Sequence, residues 1–124
     1  MSRKKNSEIS GKLAEIVVHG MQEKKGQEIV KLDMRDVNAT ISDYFVICHV
    51  DSNIQVMAIA KSVEEEVYKA LGQDPWRKEG QENGEWVLLD FVDVVVHIFK
   101  TEKRSHYRIE DLWGDAKIET YKSA

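Results

Sequence analysis

The run Trp86–Phe99, WVLLDFVDVVVHIF, constrains the fold more than any other part of the chain. It is apolar and rich in β-branched residues, but it is far longer than the about 5–6 residues of an ordinary strand. Asp90 and Asp93 interrupt it near the middle, so the segment is expected to fold back on itself as a hairpin. With Phe91 and Val92 as a two-residue loop, Asp90 faces Asp93, Leu88 faces Val95 and Trp86 faces His97. Side chains alternate along a strand, which collects Val87, Leu89, Val94, Val96 and Ile98 on one face. That face is wholly apolar and reads as core. The other carries Trp86, Leu88, Asp90, Asp93, Val95, His97 and Phe99, a mixture of large aromatics and polar tips that suits a partly exposed docking surface. A blander reading has the aspartates bonding turn backbone beneath a covering terminal helix. Phe-Val is an unusual pair for a tight turn that requires positive φ, and a longer turn would change the pairing.

The remaining elements follow from periodicity. Ile9, Leu13, Ile16, Val17, Gly20 and Met21 recur at helical spacing, with Asn6 or Ser7 as the cap and Gly26 as the stop. "QEIVKLDM" alternates as a half-covered strand, and "YFVICHV" is a continuous apolar run suited to a strand buried on both faces. Ser52 and Gln55 form a capping box ahead of a second helix that ends at Gly72. "WRKEG" reads as a short edge strand and "QENGE" as a turn. The tail "TEKRSHYRIEDLWGD" is expected to supply one or two helical turns. The order α-β-β-α-β-β-β-α predicts an α/β (α+β mixed) domain, a mixed sheet of about five strands with helices packed on it. One domain spans residues 1–124, with a core over about 6–116 and flexible ends at 1–5 and 117–124.

Several classes of function are disfavoured. A net charge of -4 gives no global attraction to nucleic acid, so direct sequence-specific binding is not expected. No apolar run approaches the roughly 18 residues of a membrane span, and a cytoplasmic location is expected. Cys48 is the single cysteine and reads as a small buried hydrophobe, pointing away from neighbouring His49. The four histidines are scattered without metal-ligand spacing, and no glycine-rich phosphate loop occurs. No cofactor or metal is expected. "SDYF", Ser42–Phe45, resembles the paired-acid signature of nucleotidyltransferases, but Phe45 stands where the second metal ligand would be. A degenerate enzyme using Asp43 with Asp90 or Asp93 is the alternative from that class. An RNA-binding module is another, since the tail interleaves Lys100, Lys103, Arg104, His106 and Arg108 with Tyr107, Leu112 and Trp113. Glu102, Glu110 and Asp111 offset that charge and favour a protein partner.

Taken together, "SDYFVIC", "DSNIQVMAIAKSVEE", "GEWVLLDFVDVVVHIF" and "YRIEDLWGDA" resemble the ribosomal silencing factor (RsfS, or iojap-related) family. The resemblance implies a nucleotidyltransferase-like fold without catalytic acids. It implies a translational repressor, not an enzyme, that binds ribosomal protein fourteen of the large ribosomal subunit and blocks joining of the small subunit when nutrients are short. It assigns partner binding to Trp86, Asp90, Asp93, His97, Tyr107, Leu112 and Trp113, with Trp86 as the anchor. A homodimer of the free protein is a further expectation, because an apolar aromatic face can pair with itself. The chain departs from the family pattern at Val92, usually Gly, and at His49–Ser52, usually T-G-x-S.

Overall fold

The structure is a computed structural model that describes residues 3–36, 42–107 and 116–123. In chain order it contains α1 (Arg3–Glu23), β1 (Gln27–Asp33), β2 (Tyr44–Val50), α2 (Asn53–Leu71), β3 (Arg77–Glu79), β4 (Trp86–Asp90), β5 (Val94–Lys100), α3 (Thr101–Tyr107) and β6 (Lys117–Tyr121). The six strands form one mixed sheet in the order β3-β4-β5-β2-β1-β6. Among the described strands only the central β2–β5 pair is parallel, and the helix-containing crossover between them places α2 on one face.

That face is the main core. Leu13, Ala14, Val17, Val18 and Met21 of α1 meet Val56, Ile59, Ala60, Val63 and Val67 of α2 above the apolar alternates of β2, β4 and β5. The helices approach closely at Gly20, where a Cβ would lie 2.9 Å from Val63 Cα, and Ser62 Oγ donates to the Gly20 carbonyl at 2.8 Å. Cys48 is fully buried in this core, and burial pushes its thiol up to about 12. Ser52 caps α2 as its sequence suggests, accepting from Gln55 N at 3.2 Å, and Gly72 closes it in the left-handed conformation.

Five expectations change. α1 begins at Arg3, which places Asn6 and Ser7 inside the helix. At its other end Lys25, not Gly26, takes positive φ at 61°, while Gly26 N donates to Met21 O at 2.8 Å. Ile9, at 53% exposure, stands outside the buried stripe. Residues Lys117–Tyr121, expected beyond the core, form a sixth strand antiparallel to β1. Tyr121 of that strand shares its hydroxyl with Glu15 and Glu119 at 2.6 Å each, and α1 carries Glu15, so β6 is fastened to helix and sheet together.

The fifth correction concerns the hairpin. Trp86 pairs with Phe99, Leu88 with His97 and Asp90 with Val95. The turn is therefore centred on Val92 and Asp93 rather than on Phe91 and Val92. Moving the centre by one residue moves the register by two, so the side chains of β4 and β5 keep their faces while changing partners, and Asp93 passes from the strand into the turn. Val92 supplies the positive φ, 74°, and Asp93 N donates back to Phe91 O at 2.9 Å, closing a three-residue turn.

Candidate docking face

The second face of the sheet is covered differently. β1 contributes Val30 and Leu32, Met34 follows just after that strand, β2 contributes Ile47, and β5 contributes Phe99 to a smaller buried cluster, with Phe45 and Trp86 packed at its margin. Alternation requires this, since Phe45, Ile47 and His49 point away from Tyr44, Val46, Cys48 and Val50. Trp86, Leu88, Asp90 and Val95 are all half-buried, so the β4–β5 part of the face is partly open.

An aromatic cluster organises it. The Trp86 ring stacks on its cross-strand partner Phe99, with centroids 5.0 Å apart and planes 25° from parallel. His97 lies 5.9 Å from Trp86, 5.2 Å from Phe45 and 6.3 Å from Phe99. The Trp86 indole Nε1–H donates to His97 Nδ1 at 3.2 Å. His97 is only 4% exposed, and desolvation lowers its pKa from 6.5 to about 4. A neutral ring whose Nδ1 accepts must carry its proton on Nε2, which is buried without a hydrogen-bond partner among the described residues.

The aspartates work on the turn. Asp90 Oδ1 accepts from Val92 N at 2.7 Å, and its other oxygen lies 3.7 Å from Arg77. The backbone carbonyl of Asp93 accepts from Asp43 N at 2.7 Å and from Tyr44 N at 3.1 Å. Ser42 Oγ donates to the Val92 carbonyl at 2.9 Å. The segment that resembles a nucleotidyltransferase signature thus clamps the strained hairpin turn. Asp43 is 2% exposed and accepts from Ser10 Oγ at 2.6 Å, and among the described residues no group of three or more metal-ligating side chains occurs.

Of the seven residues expected to bind a partner, the structure brings Trp86 and His97 together, and puts Asp90 and Asp93 at the far end of the hairpin. Tyr107 closes α3, but its side chain, like Leu112 and Trp113, lies outside the described residues. Sequence reasoning placed Phe99 on this face but missed the contribution of Phe45 to the cluster. The alternation of β2 was visible, but only the strand order puts β2 beside the β4–β5 hairpin. The basic tail also changes character. Arg104 is 7% exposed, donating to Glu28 O at 2.7 Å and lying 3.1 Å from His49 Nδ1. Lys100 and Lys103 lie 3.2 Å and 3.4 Å from Glu102 and Glu85. These three cations therefore do not make an open basic stripe. Among the described residues no helix is long and apolar enough to cross a membrane.

Comparison with known proteins decides the family. The family model described as "Ribosomal silencing factor during starvation" matches residues 6–124. The chain belongs to the ribosomal silencing factor family. A ribosomal silencing factor RsfS from Halalkalibacterium halodurans is 41% identical over 104 residues, covering 84% of this chain and 87% of its own length. A crystal structure of a protein from Chromobacterium violaceum superposes with a TM-score of 0.79 at 35% identity, covering 92% of this chain and 94% of that one. A more distant mouse relative, named mitochondrial assembly of ribosomal large subunit protein 1, is 35% identical over 75 residues, 58% of this chain and 32% of that protein. Membership in the ribosomal silencing factor family carries a ribosome-associated silencing role.

Proposed function

We propose that this silencing factor acts in the cytoplasm by binding the large ribosomal subunit through ribosomal protein fourteen. Bound there, it would occlude the surface that the small subunit needs, and translation falls when nutrients are short. The reading involves steric exclusion, with no bond made or broken. The observation that carries it is the half-buried Trp86 stacked on Phe99 at the open margin of the sheet. A large aromatic held in one orientation has already lost its rotamer freedom, so docking it costs less entropy than ordering a mobile side chain. Anchors of this kind contribute on the order of 2 kcal/mol or more to an interface. Asp90 and Asp93, at the turn end of the hairpin, would complement a basic partner and chiefly raise the association rate. In the absence of that partner the same face would support a homodimer.

The test is co-sedimentation of the pure protein with isolated large subunits, paired with a subunit-joining assay. Binding together with blocked joining supports the proposal, whereas binding that leaves joining intact removes the steric mechanism. Calorimetry with nucleoside triphosphate and magnesium addresses the enzymatic alternative, which a saturable signal would favour.

A further inference from the structure

Three features of the aromatic face remain unexplained by packing alone. A histidine occupies a site enclosed by Phe45, Trp86 and Phe99, where an apolar side chain would fill the space without polar atoms. Its Nδ1 accepts the Trp86 indole N–H, and its Nε2–H is left buried without a partner among the described residues. Buried donors are nearly always satisfied, so an orphan is a cost that an apolar residue would avoid.

We infer that His97 is the positioning residue of the docking face: it fixes the Trp86 ring flat against Phe99 and occupies the indole donor, so that the partner must receive Trp86 with aliphatic surface rather than with a hydrogen-bond acceptor. The inference rests on the proposed docking of Trp86 and deepens it. Without the acceptor, the indole must turn toward water or toward a new partner atom, and rotation about its side-chain bonds breaks the stack on Phe99. Burial of the imidazole also keeps it neutral at physiological pH, and hence able to accept. Specificity follows, because a partner that offers a polar pocket at this position would leave its acceptor unpaired.

Binding to large subunits and thermal unfolding of the full chain test this together. His97→Leu is expected to unfold within a few degrees of the wild-type protein, because it removes an orphan donor as well as an acceptor, yet to bind about tenfold more weakly. His97→Asn, whose side-chain oxygen can stand near the Nδ1 position, is expected to restore binding to within about threefold of wild type. In a Trp86→Phe background, which has no indole N–H to place, His97→Leu should have no further effect. A scalar coupling across the Trp86 Nε1–H to His97 Nδ1 bond, observed by nuclear magnetic resonance, would support the assignment independently of the ribosome. Equal losses from His97→Leu in both backgrounds, or full binding by His97→Leu when Trp86→Ala has lost it, would overturn the positioning role. Full binding by Trp86→Ala would instead overturn the docking reading beneath it.

Discussion

Val92 is a β-branched residue held at φ 74° and 44% exposed, and the consequence for stability can be worked out. Positive φ suits a residue without Cβ; for valine it is a strained state of about 1–3 kcal/mol. The strain persists because the surroundings over-determine the turn: Val92 N is held by Asp90, and the carbonyls of Val92 and Asp93 are held by Ser42, Asp43 and Tyr44. Val92→Gly keeps all of those backbone bonds and removes the strain. Against this stand glycine's larger loss of chain freedom on folding, about 0.5–1 kcal/mol, and a small loss of apolar burial, since the side chain is nearly half in solvent. The net expectation is a gain of about 1 kcal/mol, corresponding to a melting temperature higher by about 3–5 °C for a domain of this size. Val92→Ala should gain less, because its Cβ still meets the same backbone. Urea unfolding at pH 7 measures the effect, with a higher midpoint and an unchanged slope as the expected outcome. Val92→Gly with a midpoint equal to or below that of the wild type would refute the assignment of strain to this turn.

Three other perturbations probe the same framework. Gly80→Ala places a Cβ 1.9 Å from the Trp86 carbonyl oxygen at a φ of 84°, so a loss of about 3 kcal/mol or more is expected from strain and clash, read by the same urea titration. Ser42→Ala removes the hydroxyl that holds the Val92 carbonyl and should cost about 1 kcal/mol; no measurable change would show that the clamp is incidental. His97 makes stability depend on acid, because its pKa falls from 6.5 unfolded to about 4 folded. Between those values the unfolded chain holds more protons than the folded one, so this contribution is fully present above about pH 6.5 and is lost as pH falls toward 4. From pH 7 to 4.5 the wild type should lose roughly 2–3 kcal/mol more than His97→Leu; equal losses in the two proteins would place the acid sensitivity in the carboxylates instead.

Much of this fold was legible in the chain because two periods are written plainly into it. Helical spacing in Val56, Ile59, Ala60, Val63 and Val67, bounded by Ser52 and Gly72, leaves little choice for α2. Strict alternation through Val87, Leu89, Val94, Val96 and Ile98 identified the core face of the hairpin even though its turn was placed one residue early. Parity protected the faces, but the partners depend on turn geometry, and Val92 concealed that geometry by standing where glycine is expected. β6 was not legible for a different reason. Lys117, Glu119 and Thr120 are polar and exposed, and the strand owes its place to pairing with β1 and to Tyr121 rather than to an apolar pattern. The docking face was half legible: the sequence marked Trp86, His97 and Phe99 as one face, but the stack of Trp86 on Phe99 and its bond to His97 required the hairpin register, and the part played by Phe45 required the strand order.

Trp86→Ala, measured for affinity to isolated large ribosomal subunits by quantitative co-sedimentation, tests the proposed docking most directly. The side chain lies at the margin of the second cluster, so the variant should remain folded. Loss of an anchor worth about 2 kcal/mol or more predicts binding weakened by roughly 30-fold or beyond, together with loss of the block on subunit joining. A folded Trp86→Ala protein that binds and blocks as the wild type does would contradict the docking of this face.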